Sequence, residues 1–149
     1  MKIAFYNAEY GDNEDKIVAM VTNSKYSHVE LIMSDGYWYS SSRADGGVRK
    51  KSIEYIPEHW DIFDISESFD EKYALEVFEK NMGKKYNLIG ALLSSIKIKV
   101  SFKDKRYCSE LIANSLGLKK TTLTPERLFR TLKLSTKPRL IPQQVFSQE

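Results

Sequence analysis

The stretch YSHVELIMSDGYWYSSSRADGGVRKKSI, Tyr26 to Ile53, decides the fold. Val29, Leu31 and Met33 alternate with His28, Glu30 and Ile32. A period of two marks a strand with one buried face. SDGY reads as a two-residue hairpin turn with Asp35 and Gly36 at its tip, and ADGG at 44–47 turns the chain again. In that hairpin Ser34 faces Tyr37. Its register sets His28 opposite Arg43 and Glu30 opposite Ser41. His28, Glu30, Ser41 and Arg43 would then share one face.

Outward from this hairpin, KIAFYNA at the N-terminus and HWDIFDI at 59–65 read as further strands. DNEDKIVAMVTN places acids first and apolar residues at helical spacing, which predicts a short helix. SFDEKYALEVFEKNMG has Ser68 or Asp70 as N-cap and Gly83 as its stop. YNLIGALLSSI suggests a second, more buried helix, and CSELIANSLG a third that ends at Gly117. LTPERLFRTL suggests a fourth, with Thr124 as cap and Pro125 at the first position. Strands dominate the middle of the first half and helices the second. That order predicts an α+β fold, an antiparallel sheet with helices packed on one side.

The chain has 149 residues, 42% hydrophobic and 29% charged, which suits one compact domain with a core of its own. The final QQVFSQE is expected to fray. One cysteine excludes an internal disulfide, the N-terminus turns acidic too early for a signal peptide, and no apolar run is long enough to span a bilayer. These features predict a cytoplasmic protein. The net charge of +3 is unevenly spread: residues 1–83 carry −7 and residues 84–149 carry +10. Attraction between the two halves of one fold is preferred over a basic face for an anionic partner. No nucleic-acid motif accompanies the basic half.

Cys108, the only cysteine, opens the helix CSELIANSLG after Lys105 and Arg106. A lone cysteine is commonly a small buried apolar side chain. In the first turn of a helix, however, free N–H groups and the positive end of the dipole favour thiolate. The same N–H groups can hold a developing oxyanion. A cysteine nucleophile needs a base, and there are two histidines. His28, at the start of a strand and beside serines, suits that role better than His59, which lies between a proline-led turn and Trp60. A third group usually orients the imidazole. Glu30 and Ser41 are the candidates to hold the ring or contact substrate, and Glu30 could equally be a surface acid paired with Arg43. Two histidines and one cysteine do not make a zinc site. No phosphate-cradling glycine loop and no serine nucleophile elbow is present.

The order of SHVELIMSDGYWYSSSRADGGVR, then GKKYNLIGAL, then RYCSELIANSLG, then TPERLFRTL resembles the circularly permuted papain-like cysteine hydrolases of the NlpC superfamily, which include phage-encoded and bacterial members. The similarity covers most of residues 1–132 and rests on order and spacing more than on any single motif. It implies a permuted papain-like fold, with a central antiparallel sheet packed against a helical layer and no cofactor. By position it makes Cys108 the nucleophile and His28 the general base. It puts Tyr86, in the Gly-x-x-Tyr entry, near the nucleophile, in a place to position substrate or the oxyanion. Relatives often carry an acid on the strand after the histidine, where this chain has YWYSSS. That leaves Glu30 or Ser41 for the third polar role. Lys85 and Asn87 also replace common family residues.

The activity implied is cleavage of an amide through a thioester, with a cell-wall peptide of peptidoglycan as the favoured substrate. Two alternatives stay open. One is a lipid-directed acyltransferase or thioesterase. Residues 84–106 hold seven basic groups and one acid around an apolar run, a composition that also suits an anionic membrane surface, although a core helix followed by an exposed strand is preferred. The other is a non-catalytic binding module that keeps the fold. Oligomeric state leaves no trace in the sequence.

Overall fold

The computed structural model describes residues 1–86, 105–106, 108–119 and 124–132. Five antiparallel strands form the sheet in the order β5-β1-β2-β3-β4. They are β1 (Lys2–Asn7), β2 (Tyr26–Ile32), β3 (Trp38–Ser42), β4 (Gly47–Lys51) and β5 (Trp60–Asp64). Two short strands, β6 (Lys85–Tyr86) and β7 (Lys105–Arg106), extend the β4 edge, with β7 parallel to β6. The helices are α1 (Asn13–Thr22), α2 (Glu71–Asn81), α3 (Cys108–Ser115) and α4 (Pro125–Thr131). The class is α+β.

The alternation read in the sequence divides the sheet into two faces. Ile3, Phe5, Val29, Leu31 and Tyr39 lie on one face, against Ala74 and Phe78 of α2, Leu111 and Ile112 of α3, and Leu128 of α4. Phe129 of α4 closes this layer edge-on to Phe5, with ring centroids 5.5 Å apart. Ala4, Trp38, Trp60 and Ile62 form a smaller apolar cluster on the opposite face. Burying such side chains stabilises the fold by about 1.5–3 kcal/mol for each large one.

The caps follow the local sequence. The Asp70 carboxylate accepts from the amides of Lys72 and Tyr73 at the start of α2. The Thr124 hydroxyl accepts from the amide of Arg127, with Pro125 at the first position of α4. Gly83 and Gly117 take positive φ after α2 and α3. The helix expected at YNLIGALLSSI and the tail QQVFSQE lie outside the described residues.

The hairpin departs from expectation by one residue. Its loop is the three residues Ser34, Asp35 and Gly36. The Met33 amide donates to the Tyr37 carbonyl at 3.1 Å, and the Gly36 amide to the Met33 carbonyl at 3.0 Å. Gly36 takes φ of 80°, the left-handed position that a three-residue loop requires. Leu31 therefore pairs with Tyr39, and Ile32 with Trp38. Since side chains alternate, a one-residue slip exchanges the faces of the second strand. Ser41 pairs with Val48 and shares its face; Ser40 pairs with Arg49. Arg43 lies beyond β3 and pairs with Asp12 at 3.5 Å. The expected pairings of His28 with Arg43 and of Glu30 with Ser41 are thus corrected.

Candidate active site

β2 supplies two of the expected side chains from the middle of the sheet. Glu30 is fully buried, although carboxylates seldom are. Two partners permit it. Arg49 of β4 holds both carboxylate oxygens, with Nη1 to Oε2 at 2.7 Å. His28 Nε2 lies 2.8 Å from Oε1. Burial alone would raise the Glu30 pKa, but hydrogen bonds from Arg49 and His28 outweigh it and hold the carboxyl below its ordinary range. Glu30 is neither a surface acid nor a partner of Arg43.

His28 stands at an irregularity. Tyr6 pairs with His28 and Asn7 with Tyr26, so Ser27 is an extra residue on β2. Such a bulge re-aims the neighbouring side chain. With Nε2 on Glu30, the ring leaves Nδ1 for a second partner, and Cys108 is near enough to act on the ring. Burial alone would lower the His28 pKa. The Cys108 sulfur and Glu30 reverse that and push it up to about 10. The imidazole therefore lies between a carboxylate on the cleft side of the sheet and the Cys108 sulfur in the main core.

Cys108 is the first residue of α3, as the sequence indicated, and is 3% exposed within the main core. α3 packs on β2 and β3, which is what carries its first turn to His28. Tyr86 pairs with Arg106 across β6 and β7. The Gly-x-x-Tyr entry thus runs beside the strand that leads into α3. Ser41 is fully buried on the Val48 face. His59 is half-buried, stacked on the exposed Tyr10 with ring centroids 4.7 Å apart.

A cleft of about 450 Å³ opens on the sheet face that carries Glu30 and Arg49, with Asp15 of α1 on its wall. His28, Glu30, Arg49, Ser27 and Trp60 are among its lining residues, and Ser41 is not. His28 keeps 19% of its side chain exposed there. The rim mixes signs: Asp45 pairs with Arg49 at 2.7 Å and with Lys51 at 2.9 Å. Burial would raise the Asp45 pKa, but these two cations take it down to about 2.

Sequence reasoning missed Arg49. Its signal was present, because strand alternation places residue 49 on the Glu30 face once the hairpin register is right. Among the described residues, no group of three or more His, Cys, Asp or Glu side chains is arranged to hold a metal ion. No described helix is long and apolar enough to cross a membrane. No protein-family model matches the chain, and no curated protein matches it significantly.

Proposed function

We propose that the protein is a Cys-His hydrolase with a permuted papain-like fold, acting on amide bonds through a thioester. One observation carries this: a single imidazole at the wall of the cleft hydrogen-bonds a buried carboxylate and also interacts with the side chain of Cys108. Cys108 is the nucleophile, His28 the base and acid, and Glu30 the group that orients the ring. His28, kept protonated by its raised pKa, already carries the proton as the Cys108 sulfur bonds to the carbonyl carbon. N–H groups in the first turn of α3 stabilise the oxyanion. The C–N bond breaks, and the amine leaves with the proton held by His28. Water, losing a proton to the ring, then attacks the thioester and releases the acid and the free thiol. Tyr86 is assigned to substrate or oxyanion contact on the resemblance. The resemblance also favours a peptidoglycan peptide as substrate, and a free-thiol site suits the cytoplasm.

A non-catalytic module is the second reading, favoured by the 3% exposure of Cys108. Alkylation of Cys108 by iodoacetamide across pH separates the two. An enzyme gives a rate above that of free cysteine near neutrality, lost in His28→Ala. A rate at or below that of free cysteine, unchanged in His28→Ala, leaves the module. Digestion of purified peptidoglycan, abolished by Cys108→Ala, tests the substrate. A lipid-directed acyltransferase would instead turn over acyl chains presented on vesicles.

A further inference from the structure

A buried carboxylate such as Glu30 needs a positive charge beside it, and a lysine ammonium would supply one. The structure has a guanidinium held on two edges instead. Nη1 and Nη2 of Arg49 span both Glu30 oxygens, with Nη1 to Oε2 at 2.7 Å. Nε donates to Asp45 at 2.7 Å on another edge. Asp45 is fixed in turn by Lys51 Nζ at 2.9 Å. The Arg49 side chain is 13% exposed.

The route across the sheet is equally particular. β3 lies between β2, which carries Glu30, and β4, which carries Arg49. Ser40 is the β3 residue that pairs with Arg49. It is fully buried, and its hydroxyl donates to the Val29 carbonyl at 2.7 Å. A side chain this small leaves the guanidinium room to cross β3 and reach Glu30.

A planar fork on both oxygens sets the plane of a carboxylate as well as balancing its charge. Oε1 of that carboxylate also bonds His28 Nε2, at 2.8 Å. Its lone-pair directions follow the carboxylate plane, so the plane governs how the ring is turned. We propose that Arg49 is a positioning residue: clamped between Asp45 and Glu30, it fixes the Glu30 carboxylate and through it the angle that the His28 ring presents to Cys108. The proposal rests on the acyl-transfer reading of Cys108 and His28.

The test uses Arg49→Lys, which keeps the positive charge but cannot span both oxygens. The pH at which the His28 ring titrates is followed by NMR, and Cys108 is alkylated with iodoacetamide near neutrality. In Arg49→Lys the ring is expected to titrate at lower pH than in wild type, towards the value in Glu30→Gln. Alkylation is expected to slow about 10-fold, the worth of one charge-assisted hydrogen bond. In a Glu30→Gln background Arg49→Lys is expected to shift the titration no further, because the route through the carboxylate is already cut. A ring that titrates at or above the wild-type pH in Arg49→Lys, or a further shift in the Glu30→Gln background, makes Arg49 a counter-charge alone and overturns the proposal. If Arg49→Lys does not fold, Asp45→Asn decides, since it frees one edge of the guanidinium and leaves Glu30 paired. It is expected to move the titration the same way and to slow alkylation about 2- to 5-fold; an unmoved titration overturns the proposal. The two readings fail separately. A wild-type thiol no faster than free cysteine ends the acyl-transfer reading, while a His28 titration that still moves in Arg49→Lys keeps Arg49 as the residue that turns the ring.

Discussion

At the scale of single residues, Glu30 is the decisive side chain. It is a fully buried carboxylate kept charged by one guanidinium and one imidazole. Glu30→Gln keeps the shape and removes the charge that helps raise the His28 pKa. The ring should then titrate lower than in wild type, as followed by the NMR shift of its carbon-bound protons against pH, with His59→Asn to assign the signals. On the proposed function, amide turnover should fall with it, although less than the 10²- to 10⁴-fold expected if His28→Ala removes a general base. Arg49→Leu has the opposite character. It leaves the carboxylate buried without its guanidinium, and stability should fall by about 3–5 kcal/mol in urea unfolding. A loss below 1 kcal/mol would mean that water reaches Glu30 freely.

At the scale of elements, the close approach of two strands makes Gly47 irreplaceable. A Cβ there would lie 2.0 Å from the Lys84 carbonyl oxygen, and the residue has φ of 156°. β4 meets β6 here: the Val48 amide donates to the Lys84 carbonyl at 2.8 Å. Gly47→Ala should destabilise the protein by about 1–3 kcal/mol and loosen β6, seen as faster amide exchange at Val48. The sequence showed the turn at ADGG but not why its last glycine is needed, since Lys84 is remote in the chain. The hairpin teaches the same lesson. Asp35-Gly36 fitted two turn types, and periodicity does not choose between them. The choice fixes whether Ser40 or Ser41 joins Glu30, and thereby hid Arg49. By contrast, the caps at Asp70 and Thr124 and the start of α3 were legible, because they depend on residues within one helical turn.

At the scale of the whole molecule, the class was readable from the order of strand-like and helix-like segments. The meeting of His28 with Cys108 was not derivable from periodicity, since eighty positions separate them; the need of a cysteine nucleophile for a base suggested it, and the family resemblance pointed the same way. That long-range pair also shapes how the fold responds to pH. The folded pKa of His28, about 10, lies above its ordinary 6.5. Its contribution is therefore complete below pH 6.5 and lost as pH rises through 10. Asp45, lowered from 3.8 to about 2, contributes above its ordinary value and is lost as pH falls through 2. The urea midpoint of wild type should decline between pH 6.5 and 10, and His28→Ala should flatten that decline.

The chain has two tryptophans, and both belong to the cluster on the cleft side of the sheet, ring centroids 5.0 Å apart at 64°. Trp60 also lines the cleft itself. All indole emission therefore arises at one place, within reach of whatever enters. Fluorescence from the unlabelled protein should report occupancy directly, without a dye or a chromogenic leaving group, and so offers a screen for ligands before any turnover has been found.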